Sequence, residues 1–73
     1  MMDRNTDILK VQTLQPGQKT HVFWSEEGGG EVIRTPDGYE LWEVPQYGGE
    51  PMFYGLFKLG EEALLVDIAR TWT

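Results

Sequence analysis

The chain has 73 residues, no cysteine and a formal net charge of −6. This length predicts one domain, spanning residues 1–73, that buries only about 60% of the surface exposed by its unfolded chain. The absence of cysteine excludes a disulfide framework and a thiolate metal site, so association with another chain is the usual remaining support for so small a core. The negative charge argues against direct binding to nucleic acid or to an anionic membrane, because both attract clustered lysine and arginine.

The N-terminal sequence MMDRNTDILKV lacks the apolar run of a signal peptide, and no segment of the chain approaches the length of a membrane span. Together with the missing cysteines, this pattern predicts a cytoplasmic protein. The excess of acidic residues is interpreted first as a source of solubility.

The N-terminal third of the chain predicts a β-hairpin. Residues 1–7 are polar and unpatterned, so we expect them to be frayed. Residues 8–14 alternate in the manner of a short strand, and Pro16-Gly17 is the residue pair of a type II turn. Residues 20–24 are rich in β-branched and aromatic side chains and provide the second strand. A lone extended arm is the alternative.

The middle of the chain predicts a flexible loop followed by a second hairpin. Residues 25–30, SEEGGG, contain three consecutive glycines, which lose the most backbone entropy on ordering. Residues 31–35 form a short strand, and the sequence TPDG at residues 35–38 is a strong turn signal that leads into the next strand.

Residues 39–45 and 51–58 predict an antiparallel hairpin around residues 46–50. A symmetric turn places Trp42 opposite Phe53 and Leu41 opposite Tyr54. This register, which a one-residue slip would change, divides the large side chains between two faces of the sheet. One face holds Trp42, Val44, Phe53, Gly55 and Phe57, and the other holds Tyr39, Leu41, Met52, Tyr54 and Leu56, with Leu41 opposite Tyr54.

The C-terminal segment predicts an amphipathic helix rather than a strand. Gly60 is an acceptable N-cap, and Glu61 and Glu62 lie in the first turn, where the helix dipole favours negative charge. One helical stripe contains Leu64, Leu65, Ile68, Ala69 and Trp72. The predicted fold is therefore α+β, a small antiparallel meander of three to five strands with this helix over the Trp42 face, and residues 39–72 form its core.

The face that carries Tyr39 then has no predicted cover. Either the N-terminal hairpin or another chain covers it, and we favour a second copy, because two-fold association commonly buries such a surface. Trp24 and Tyr47 are aromatic residues beside or within predicted loops, and aromatic residues are enriched at interface hot spots. The predicted interface residues are Tyr39, Leu41, Met52, Tyr54, Leu56, Trp24 and Tyr47.

No motif for catalysis, metal binding or cofactor binding is found. His21 is the only histidine, and a lone histidine in a strand is usually structural. Ser25, the only serine, lacks the preceding glycine of a nucleophile elbow. The acidic residues around the triple glycine would repel a phosphate, and they do not follow the ligand pattern of a calcium loop.

These observations predict a small acidic, non-enzymatic protein-interaction module that forms a homodimer or binds a protein partner, with no cofactor. Two alternatives stay open. One is an acidic inhibitor that mimics nucleic acid, as some phage and mobile-element proteins do, and the other is a small-molecule binder with a pocket between sheet and helix or at a dimer seam.

Overall fold

In the computed structural model, which describes residues 3–25, 28–45 and 49–72, four strands form one antiparallel sheet and two helices pack on one of its faces. The sheet order follows the chain order. This architecture confirms the predicted α+β class, including the meander and the C-terminal helix. The elements are α1 (Arg4–Gln12), β1 (Lys19–Ser25), β2 (Gly28–Arg34), β3 (Gly38–Pro45), β4 (Met52–Lys58) and α2 (Glu62–Arg70).

Helix α1 corrects the prediction for the N-terminus. The segment from Ile8 to Leu14 was expected to be a strand and residues 1–7 to be frayed, but residues 4–12 are helical. The Asp3 carboxylate caps the helix by accepting the backbone N–H of Thr6 at 3.0 Å. Apolar residues at positions 8, 11 and 14 fit one face of a helix, whereas the strand prediction rested on positions 9, 11 and 13, and the cap decides between them. The predicted N-terminal hairpin is therefore wrong.

Strand β1 pairs with β2, which begins inside the predicted glycine-rich loop. Ser25 and residues 28–30 belong to strands, whereas Glu26 and Glu27 lie outside the described residues. A Cβ atom added to Gly30 would lie 2.8 Å from Val22 Cγ2 and 3.0 Å from the Cβ of Ala69 in α2. Glycine at this position lets α2 approach the sheet closely.

The hairpin between β2 and β3 confirms its turn prediction. Thr35 and Gly38 exchange backbone hydrogen bonds of 2.9 and 3.4 Å across Pro36 and Asp37. The Thr35 hydroxyl also accepts the Gly38 N–H at 3.0 Å. The short loop therefore sets the register of the strands on both sides of it.

Strands β3 and β4 form the predicted hairpin with one irregularity. Trp42 lies opposite Phe53, as predicted, but Leu41 lies opposite Gly55 rather than Tyr54. The register shifts by one residue because β4 carries a bulge at Tyr54. Beyond the bulge, the side chains of β4 exchange faces relative to the prediction.

The core lies between the two helices and the face of the sheet that was expected to be uncovered. Tyr39 is 2% exposed and Leu41 is 0% exposed, so the assignment of these two residues to an uncovered face is wrong. The helices cover a face built largely of valine, leucine and glycine, which permits close packing. The buried apolar residues are Val11, Val22, Val32, Tyr39, Leu41, Leu65, Val66 and Ala69.

The buried stripe of α2 differs slightly from the predicted one, since Val66 is buried and Leu64 is half exposed. Glu62 is also buried, and its Oε2 atom accepts the Tyr39 hydroxyl at 2.6 Å and the Gly60 N–H at 2.9 Å. Burial raises the pKa of Glu62, but these hydrogen bonds outweigh burial, so the pKa lies below its ordinary value of 4.5. A charged hydrogen bond thus fastens the start of α2 to β3.

Neither α1 nor α2, the helices of the described residues, is long and apolar enough to cross a membrane.

Candidate interaction surface

The sheet has a second face that neither α1 nor α2 covers. Side chains alternate along a strand, so Glu40, Trp42 and Val44 point away from the helices that cover Tyr39 and Leu41. The cross-strand partners of these residues extend the same surface across β1, β2 and β4. We call this surface the open face, and it comprises Lys19, His21, Glu31, Ile33, Glu40, Trp42, Val44, Phe53 and Leu56.

One half of the open face is apolar and lies over β3 and β4; this apolar half consists of Trp42, Val44, Phe53 and Leu56. The rings of Trp42 and Phe53 meet edge to face with their centroids 5.3 Å apart. Phe53 is 51% exposed and Leu56 is 73% exposed. The Glu40 carboxylate accepts the Trp42 indole N–H at 3.0 Å, which fixes the orientation of the ring.

The other half of the open face lies over β1 and β2 and is charged. The Glu31 carboxylate lies between Lys19 Nζ and His21 Nε2, at 3.5 Å from each. The His21 ring stacks on Trp24 with a centroid distance of 4.0 Å. Because these groups already contact one another, we regard the charged half as a self-satisfied cluster rather than as a binding site.

The β1 edge of the sheet is capped by side chains from α1. Lys10 Nζ donates to the His21 carbonyl at 2.7 Å, and the Asp7 carboxylate accepts the Phe23 N–H at 2.9 Å. Both backbone groups point away from β2, because the Arg34 N–H donates to the Gln18 carbonyl and the alternation of the ladder then makes Val22 and Gly30 a bonded pair. Asp7 is fully buried, and Lys10 lies 3.5 Å from its other carboxylate oxygen. Helix α1 therefore occupies the positions that an incoming strand would use.

The structure places the predicted interface residues in several different settings. Tyr39 and Leu41 are in the core, and only Leu56 and Trp24 lie on the open side of the sheet. Met52 and Tyr54 are more than half exposed but lie on the helix side of the sheet. There the ring centroids of Tyr54 and Trp72 are 5.3 Å apart. Tyr47 lies outside the described residues.

Sequence reasoning missed the apolar half because it assigned Trp42, Val44 and Phe53 to the helix-covered face. The grouping of these three residues on one face was correct and could be predicted from alternation. Gly30 was the available signal for the side on which α2 packs, since only β2 offers a close approach there. Ile33, on the same open face, was not considered.

The described residues contain no group of three or more histidine, aspartate or glutamate side chains that could hold a metal ion. A shallow cavity of about 480 Å³ lies beside the end of β4, and it is lined by Thr35, Asp37, Gly38, Tyr39, Leu56, Phe57, Lys58 and Glu61.

Comparisons of the chain with protein-family models, with curated proteins and with solved structures give no match.

Proposed function

We propose that this chain is a non-enzymatic protein-interaction module that self-associates through the apolar half of its open face. The observation that carries this proposal is the exposure of Phe53 and Leu56 beside Trp42, on a face to which neither α1 nor α2 contributes. A small domain rarely exposes aromatic and aliphatic side chains together without a partner.

The open face exposes part of the area that an interface needs. Phe53 and Leu56 are 51% and 73% exposed. At roughly 200 Å² for each fully exposed side chain, these two present about 250 Å². A stable dimer buries roughly 600 to 800 Å² per chain, so neighbouring residues such as Trp42 and Val44 must also be buried in the contact.

Charge favours a second copy at this place. The chain carries a net charge of −6, so two copies repel each other over most of their surfaces. Strands β1 and β4 are the exceptions, because KTHVFWS and MFYGLFK each contain one lysine and no acidic residue. Side chains of α1 cap the edge of β1, so contact through β4 is the way to bring two such strands together.

Size-exclusion chromatography with light scattering tests the proposal between about 5 and 200 µM protein. We expect the native chain to dimerise and Phe53→Glu to be monomeric, because the new carboxylate would have to be desolvated at the interface. Leu9→Glu is the matched control, since Leu9 is 59% exposed but lies on α1, and this variant should dimerise normally. A monomeric native chain at 200 µM, or a Phe53→Glu variant that dimerises as the native chain does, would refute the proposal.

The alternative of nucleic-acid mimicry has less support among the described carboxylates. Asp7 and Glu62 are buried, and Asp67 pairs with Arg4 at 2.6 Å, so these groups do not present free negative charge. The small-molecule alternative has candidate cavities beside β4, bordering the apolar half, and between the end of α1 and the start of β1, where the volume is about 560 Å³.

A further inference from the structure

We propose that the second copy docks by strand addition, with β4 of one copy pairing antiparallel to β4 of the other about a two-fold axis at Leu56. The two four-stranded sheets then become one sheet of eight strands. This inference rests on the proposed self-association and places the contact at the β4 edge of the apolar half, so that Trp42 and Val44 stay on the surface of the joined sheet. It is carried by the different states of the two edges of the sheet.

The hydrogen-bond phase of the sheet determines which backbone groups of β4 point outward. Thr35 and Gly38 exchange backbone hydrogen bonds. Bonded and non-bonded pairs alternate along an antiparallel ladder, so Glu40 bonds to β2, and Tyr39 and Leu41 bond to β4. Leu56 lies opposite Glu40, and its N–H and C=O groups therefore point away from β3.

The same alternation of hydrogen bonds holds at the β1 edge of the sheet. There the His21 carbonyl and the Phe23 N–H point outward. Lys10 and Asp7 bind those two groups. For Leu56, no hydrogen bond to its outward groups is made within residues 3–25, 28–45 and 49–72. At the end of β4, the Lys58 N–H donates to the Glu61 carboxylate at 2.7 Å, which closes the edge beyond Leu56.

The contrast between the edges indicates the form of the assembly. Monomeric sheets protect both edges against pairing, whereas in the part of the chain that the structure describes this sheet protects β1 and leaves an apolar β4 open. Pairing of β4 with β1 of the next molecule would continue indefinitely as a filament, and the α1 side chains block it. Pairing of β4 with β4 closes after two copies, so it is the arrangement that the capped edge permits.

A two-fold axis at Leu56 also gives a compatible register. Leu56 pairs with its own counterpart and exchanges two backbone hydrogen bonds with it. The new ladder is short, because Lys58 of each copy, which lies across from Tyr54 of the other, already donates its N–H to Glu61. No acidic side chain of β4 faces another, because the strand contains none.

Two substitutions separate backbone pairing from side-chain packing. Leu56→Pro removes the outward N–H and is tolerated at a strand edge, where that group makes no bond within the sheet. We expect it to raise the dimer Kd by about 30-fold or more, since both symmetric hydrogen bonds are lost. Leu56→Ala keeps the N–H, and its dimer should be weakened less than that of Leu56→Pro. Circular dichroism and thermal unfolding establish that each variant is folded.

Disulfide trapping tests the register without depending on the proline variant. The chain has no cysteine, so a single introduced thiol reports only contacts between copies. The Cα atoms of a bonded antiparallel pair are about 5.5 Å apart, so Leu56→Cys should cross-link rapidly under mild oxidation. Phe53→Cys should not, because its counterpart lies about 20 Å away along the paired strands. Leu9→Cys is the control on α1.

The outcomes distinguish this inference from the proposed function. A monomeric native chain overturns both. A dimer that survives Leu56→Pro but is lost in Ile33→Glu, with no cross-link at position 56, shows face-to-face stacking and overturns only the strand addition. Loss of the dimer in Leu56→Pro, together with a cross-link at position 56 that exceeds those of Phe53→Cys and Leu9→Cys, supports it.

Discussion

The hydrogen bond between Tyr39 and Glu62 should contribute strongly to stability. The hydroxyl donates to Oε2 at 2.6 Å, and the two residues are only 2% and 9% exposed. Tyr39→Phe keeps the ring in the core and removes one donor from a buried carboxylate. A hydrogen bond to a charged group contributes about 1.5 to 3 kcal/mol, so the free energy of unfolding should fall by about 2 kcal/mol at pH 7. For a domain of this size, that loss lowers the Tm by about 10 °C.

The same hydrogen bond predicts a pH dependence at the alkaline end. Burial, and then the hydrogen bond to Glu62, raises the pKa of Tyr39 from 10.0 to about 12. The folded chain keeps this proton where the unfolded chain has lost it, so the contribution is complete below pH 10 and declines as pH rises from 10 to 12. The full decline is about 3 kcal/mol. Tyr39→Phe lacks this pH-dependent contribution. The difference in free energy of unfolding between the native chain and Tyr39→Phe should therefore shrink toward zero by pH 12.

Urea unfolding followed by tryptophan fluorescence measures both effects. Native chain and variant are compared at one protein concentration, since self-association makes stability concentration-dependent. Tyr54→Phe is the control, because this tyrosine is 53% exposed, and its stability should stay within about 0.5 kcal/mol of the native value. The reasoning fails if Tyr39→Phe is as stable as the native chain at pH 7, or if the difference between them is undiminished at pH 11.5.

Two further predictions concern the packing of the helices, and urea unfolding measures both. Asp7→Ala leaves the Phe23 N–H without its acceptor and should lower the free energy of unfolding by about 1 to 3 kcal/mol. Asp7→Asn keeps an acceptor oxygen and should lower it less. Equal losses in the two variants would contradict this role of Asp7. Gly30→Ala places a Cβ 3.0 Å from that of Ala69 and should cost about 1 to 3 kcal/mol. Gly55→Ala meets nothing within 4 Å and should be nearly neutral, so similar costs at both glycines would refute the close-approach argument.

The elements that could be predicted from sequence are those specified by local chemistry. The TPDG turn restricts its own backbone and leaves little choice for the strands beside it. Helix α2 has an acidic first turn and a continuous apolar stripe. Helix α1 was missed because residues 8–14 satisfy two periodicities, and the deciding signal, the Asp3 cap, lies in a segment interpreted as frayed.

The face on which the helices pack could not be predicted from side-chain size. Trp42 and Phe53 are the larger residues and were expected in the core, yet the helices lie over Val32 and Leu41. The choice depends on how closely α2 can approach Gly30, which involves a strand outside the predicted core hairpin. The bulge at Tyr54 depends on the pairing itself, and no local residue pattern signals it.

The order of the strands has a consequence for how the chain folds. Neighbours in the sheet are neighbours along the chain, so each strand pairing closes only a short loop and has a small entropic cost. Arg4 and Asp67, by contrast, are 63 residues apart and can pair only after the sheet has brought the two ends together. We therefore expect the chain to assemble outward from the central turn, with the docking of its terminal helices as the last step.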